Sequence, residues 1–108
     1  MHSLLYVLRQ MAWSHPADTL ARVRPYEQEA RASDDPGWLQ RLGYIFQCSG
    51  HFAEAQVLYD RALAVGDTSK SSVQRQHQIV RDVIESMRQS DGYKAWRRQQ
   101  RPWWKPWG

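Results

Sequence analysis

The stretch at residues 39–63, LQRLGYIFQCSGHFAEAQVLYDRAL, constrains this chain more than any other. Leu39, Leu42 and Phe46 recur at three- and four-residue steps, the spacing of one helix face. Gly50 interrupts that face, and glycine tolerates the positive φ that a tight turn demands. Beyond it, Phe52, Ala55, Tyr59 and Ala62 repeat the spacing. Two short amphipathic helices joined in this way bury their apolar faces by folding back on each other. Gly43 and Ala55 are small enough to let them approach closely.

The order Leu42-Gly43, Phe46, Gly50, Ala55, Tyr59 and Ala62-Leu63 resembles one tetratricopeptide repeat, a helix–turn–helix unit of about 34 residues. Leu39 stands where that pattern has its first tryptophan, with Trp38 beside it. Phe46 takes the tyrosine position and Tyr59 the phenylalanine position, while the final proline is missing and Asp67 lies near its place. The resemblance spans residues 36–69. Shifting back by one period of about 34 residues sets Leu8 against Leu42, Ala12 against Phe46, Ala21 against Ala55 and Val23 against Val57. Residues 2–35 therefore read as a degenerate repeat, with Arg9 at the glycine and Pro25 at the tyrosine.

The resemblance implies an all-α protein of antiparallel helical hairpins acting without catalysis on other proteins. The role would be that of an adaptor, small chaperone or assembly subunit, such as those serving bacterial secretion or envelope systems. In this family the inner face of the first helix of each pair lines a groove. Carried over, that face holds Gln40, Tyr44 and Gln47, with Cys48 beside them. The Lys/Asn/Arg clamp that some members use for a terminal carboxylate is not present. The same positions also read as ordinary solvated helix residues. Repeats of this kind need roughly three copies to bury their faces. One clear copy therefore implies association with a second copy or with a protein partner, or a chain that is part of a longer repeat protein.

The remaining chain supplies about five helices in all. Residues 3–13 carry a wide apolar face, and Ser14-His15-Pro16 stops that helix and starts a second. Pro25 should kink or break the second helix. Asp34 or Asp35 is placed to cap the next helix, with Pro36 at its first position. Gly66-Asp67 ends the pair. A long polar helix over residues 69–90 follows, with Val73, His77, Val80, Ile84 and Met87 as a narrow apolar stripe that caps the stack. Asp91-Gly92 reads as a break, followed by one or two further turns up to Gln100. The domain so defined is residues 1–92, and residues 93–108 form a basic tail whose two prolines keep its end out of a helix.

That tail is the second informative feature. It holds Lys94, Trp96, Arg97, Arg98, Arg101, Trp103, Trp104, Lys105 and Trp107, with no acid among residues 94–108. These five cations leave ten basic against eleven acidic residues elsewhere, so the net charge of +4 is local to the tail. Its end resembles Trp/Pro/Arg membrane-active peptides in composition. Indoles favour the membrane interface, and cations add attraction to an anionic leaflet. An alternative function is therefore a peripheral membrane-associated subunit anchored by Trp96, Arg97, Arg98, Arg101, Trp103, Trp104, Lys105 and Trp107. The same segment could dock on a partner, cover the end of its own helical stack, or stack on single-stranded nucleic acid, the last being the least favoured reading.

Catalysis finds little support. Cys48 and His51 form a C-x2-H pair, but a metal site needs three or four ligands and His2, His15 and His77 are scattered. Asp34-Asp35 is better read as a helix cap than as a carboxylate pair. No phosphate loop or nucleophile motif is present, so no metal and no cofactor is expected. A single cysteine fits a reducing compartment. Arg9 cuts short the apolar start, which argues against a secretory signal. Twelve arginines against three lysines point to a GC-rich bacterial source. The expected location is the cytoplasm, or the inner face of the inner membrane if the tail is an anchor.

Overall fold

The computed structural model describes residues 2–100, and the regular elements among them are all helical. They are α1 (His2–Ala12), α2 (Pro16–Val23), a 3-10 turn (Arg24–Tyr26), α3 (Glu27–Arg31), α4 (Pro36–Cys48), α5 (Phe52–Ala64), α6 (Ser71–Gln89) and α7 (Asp91–Gln99). The 3-10 turn is the interruption expected at Pro25, since proline removes an amide donor and crowds the preceding turn. It bends one rod into α2 and α3 without ending it.

Helix α4 starts where its capping signal lies. Asp35 is the N-cap, its Oδ1 accepting from the Gly37 amide at 2.8 Å, and Pro36 occupies the first helical position, where no amide is needed. After Cys48, the chain reverses through Ser49, Gly50 and His51. Gly50 has φ +81 and Gly66, at the end of α5, has φ +93, a region that side chains with a Cβ rarely adopt. The Ser49 hydroxyl donates to Ile45 O at 3.0 Å and to Pro16 O at 3.3 Å, tying the turn to the start of α2.

Helices α4 and α5 form the most extensive packing in the molecule. Leu39, Leu42, Ile45, Phe46, Ala55, Tyr59 and Ala62 are fully buried, and Phe52 and Leu58 nearly so. Gly43 permits the closest approach: a Cβ there would lie 2.7 Å from Tyr59 Cε1 and 2.9 Å from Cδ1. Each fully buried large side chain of this kind contributes roughly 1.5–3 kcal/mol. Leu5, Leu8 and Ala12 of α1, Val23 of α2 and Ala30 of α3 extend the same core on one side of α4, and Val80 and Met87 of α6 extend it on the other.

The repeat-period comparison holds for one helix pair and slips for the other. Leu8 and Ala12 are buried like Leu42 and Phe46. Ala21, however, is exposed where Ala55 is buried, and Val23 is buried where Val57 is exposed. The reason is register: α2 begins two residues earlier than the period would place it relative to α5, so Thr19 and Val23 carry its buried face.

Beyond α6 there is an additional rod, α7. The chain breaks at Ser90, where ψ is 147°, not at Asp91-Gly92, which open the new helix. Ser90 serves both helices: its hydroxyl donates to Met87 O at 2.6 Å and accepts from the Tyr93 amide at 3.3 Å. Helix α7 docks through Tyr93 and Trp96 on Phe52 of α5, with ring centroids 5.5–5.8 Å apart. Tyr93 is buried and Trp96 half-buried, so part of the segment read as tail belongs to the packed body.

Candidate interaction surface

Helices α1, α4 and α6 lie side by side, with α4 packed against both others. Their shared surface holds a depression of about 230 Å³ lined by Tyr6, Arg9 and Gln10 of α1, Gln40 and Arg41 of α4, and Gln76 and Ile79 of α6. A larger hollow of about 570 Å³ adjoins it at the N-terminal ends of α4 and α6, and Arg41 and Gln76 line both. That hollow mixes signs, with Asp34, Asp35 and Asp67 facing Arg41 and Lys70.

The centre of this surface is a guanidinium stacked on a phenol. Arg9 Cζ lies 4.2 Å from the centroid of the Tyr44 ring. With the Gln40 carboxamide oxygen turned towards it, Arg9 also donates through Nε and Nη2 at 3.1 and 3.2 Å. Gln40 is only 4% exposed, so its amide is held in a fixed place. Among the described residues, no carboxylate pairs with Arg9. Arg41 lies beside it, its Cζ 6.0 Å from the Tyr6 ring centroid. Burial, offset in part by Asp35 and reinforced by the charge of Arg9, pulls the Arg41 guanidinium below the ordinary arginine value. Tyr6 is 53% exposed. The result is a basic, aromatic and partly desolvated patch in which Arg9 is held by Tyr44 and Gln40 and Arg41 lies between Tyr6 and Asp35.

Of the groove residues read from the sequence, the structure brings Gln40 and Tyr44 together at this patch. Gln47 turns elsewhere: its Oε1 accepts from the Tyr59 hydroxyl at 2.5 Å. Burial pushes both that phenol and the Cys48 thiol upward, so neither ionises readily near neutral pH. The residues missed by sequence reading are Tyr6, Arg9, Gln10, Arg41, Gln76 and Ile79. Arg9 did carry a signal, since it stands where the repeat pattern has its glycine.

The other face of α4 is held by a charged network. Glu27 pairs with Arg24 at 2.8 Å and Arg31 at 2.9 Å, and Arg31 reaches Glu54 of α5 at 3.3 Å. Arg31 and Arg24 also lie over the Phe46 ring, at 5.1 and 5.5 Å. Burial alone would raise the Glu27 carboxyl, but the two arginines outweigh it and hold it below the usual range. This network ties α3 to α5.

Of the tail residues, Trp96 is packed on Phe52 and Tyr93, while Arg97 and Arg98 stand exposed in the last turn of α7. Arg101, Trp103, Trp104, Lys105 and Trp107 lie outside the described residues. Among the described residues no group of three His, Cys, Asp or Glu side chains stands close enough to hold a metal ion, and no helix is long and apolar enough to cross a membrane. No family model matches the chain, and neither the curated proteins nor the solved structures contain a significant match to it.

Proposed function

We propose that this protein is a non-catalytic helical interaction module of the tetratricopeptide type that receives a segment of a partner protein across the surface of α1, α4 and α6. The observation that carries the reading is the Tyr6–Arg9–Gln40–Arg41–Tyr44 patch. Its Gln40 and Arg9 groups are pre-positioned, the Tyr6 ring lines a depression spanning three helices, and the Arg9 cation on Tyr44 stands at its centre. Helix faces of this kind recognise an extended or helical peptide through side-chain contacts, and arginine with tyrosine is the composition of interaction hot spots. The α4–α5 hairpin supports the family resemblance at the positions that carry it, with Gly43 against Tyr59. As an adaptor, small chaperone or assembly subunit, the protein would act through this surface.

The test is a photo-crosslinking residue placed at Gln10, beside the patch, or at Val57, which is exposed on α5. In its native cell the Gln10 form should capture a defined protein that Arg9→Glu abolishes, and the Val57 form should not. Capture of the same protein from both positions, or capture indifferent to Arg9→Glu, would sink the proposal.

A further inference from the structure

On the reading of the α1–α4–α6 surface as the docking face, on which this inference rests, we propose that the partner segment presents a carboxylate to Arg9 and an adjoining apolar side chain to Tyr6 and Trp13. The Arg9 guanidinium has its Nε and Nη2 edge on the Gln40 oxygen, at 3.1 and 3.2 Å, and one face on the Tyr44 ring, 4.2 Å from the centroid. Those contacts leave Nη1 and the second Nη2 hydrogen, the end of the fork that grips a carboxylate through parallel bonds. Among the described residues no carboxylate pairs with Arg9, and Arg41 adds positive charge beside it. Gln40 is buried and Tyr44 half-buried, so the fork is held in place before a ligand arrives.

The aromatic half of the surface comes from α1. Tyr6 is 53% exposed and Trp13 80%. Helical bonding runs on past Ala12, with His15 N donating to Met11 O at 2.8 Å, so Trp13 keeps the register of the helix. It stands four residues from Arg9 and seven from Tyr6, on the same side. Trp, Tyr and Arg are the residues on which binding energy concentrates, and large rings left in water gain from an apolar partner group. Charge separates a peptide from a polyanion. The hollow beside the patch carries Asp34, Asp35 and Asp67. A nucleic-acid strand or an anionic lipid sheet would lay further phosphates over those acids, whereas a peptide can set one carboxylate on Arg9 between uncharged neighbours.

The experiment selects binders to the full chain from a library of random peptides displayed on phage, then measures the selected peptides by fluorescence anisotropy. They should share an Asp or Glu beside a Leu, Phe or Trp. Changing that acid to its amide should lower affinity about tenfold on the parent and less than about twofold on Arg9→Gln, the signature of a direct pair. On Arg9→Lys, which keeps the charge but loses the fork, the effect of the acid should shrink without vanishing. Trp13→Ser, at an exposed position, should weaken the same peptides, and circular dichroism reports whether each variant keeps its fold. A dispensable acid, or one that matters equally on the parent and both Arg9 variants, would overturn the inference, while sensitivity to Trp13→Ser would leave the docking face standing. Selection of no peptide, or of peptides indifferent to Arg9→Gln and Trp13→Ser alike, would overturn both. Displacement of the peptides by a single-stranded oligonucleotide or by phosphatidylserine vesicles at physiological salt would also overturn the inference.

Discussion

Gly43→Ala tests the packing on which the hairpin depends. Two effects oppose each other. Alanine is the better helix former, which favours the variant by about 0.5–1 kcal/mol. Against this, the new methyl would lie 2.7 and 2.9 Å from two carbons of the Tyr59 ring and 3.3 Å from a third. That ring is fully buried, and its hydroxyl is held by Gln47, so it has little room to retreat. Overpacking of this kind costs about 1–3 kcal/mol, and two contacts under 3.0 Å place it near the upper end. The net is a destabilisation of about 2 kcal/mol, or a fall in Tm of about 8–16 °C for a chain of this size. Urea denaturation followed by circular dichroism reads it directly. Tyr59→Leu in the same chain should restore part of the loss, so the double variant is less destabilised than the sum of the singles by about 1 kcal/mol or more. A Gly43→Ala protein as stable as the parent, or strict additivity with Tyr59→Leu, would refute the argument.

Three further outcomes follow from the same structure. Asp35→Ala removes the acceptor of the Gly37 amide and should cost about 1 kcal/mol in urea denaturation, with Asp35→Asn close to the parent. Glu27 has a folded-state value below its ordinary 4.5, so its contribution is complete above that pH and is lost as pH falls through the folded value. The stability gap between the parent and Glu27→Gln, about 1 kcal/mol or less at neutral pH, should therefore close in acid when measured by thermal unfolding. Phe52→Ala removes the ring on which Tyr93 and Trp96 rest and should cost about 3 kcal/mol, with amide exchange across α7 rising more than across α4.

Legibility in the sequence followed how local each determinant is. The α4–α5 hairpin could be read because its signals lie within a few residues: Asp35 and Pro36 at the start, Gly50 at the turn, and apolar residues at helical spacing between. The kink at Pro25 was legible for the same reason. The register of α2 was not, because the turn before it differs from the Gly50 turn, and a two-residue offset changes which alanine is buried. The docking of α7 was also hidden. Asp91-Gly92 looks like a helix breaker, yet Ser90 makes the break and caps the next helix, and the reward for continuing comes from Phe52, far away in sequence. At the proposed interaction surface, Gln40 and Tyr44 came from the family resemblance, which implies them as groove positions of the first helix, and the structure brings them together on Arg9. Arg9, Tyr6 and Gln76 come from other helices, and only tertiary packing brings them alongside.

The residues that specify the fold are therefore not the ones available for recognition. Leu39, Leu42, Gly43, Phe46, Ala55, Tyr59 and Ala62 are buried to the last methyl, so no partner can touch them. Any ligand must be read by side chains the hairpin pattern leaves unspecified. Among those side chains are two basic sets, Arg9 and Arg41 with their tyrosines on α1 and α4, and Lys94, Arg97 and Arg98 on α7. Arg9 is held by Tyr44 and Gln40, with no carboxylate paired to it among the described residues, and the α7 cations stand in solvent. Reversing the α7 charges removes little that the folded state relies on, because exposed charges without ion pairs contribute little to stability. The α7 charges can thus be changed by mutation without loss of the fold. At Arg9 the separation is narrower, since a carboxylate there would face Gln40 and the Tyr44 ring without the cation that both now engage.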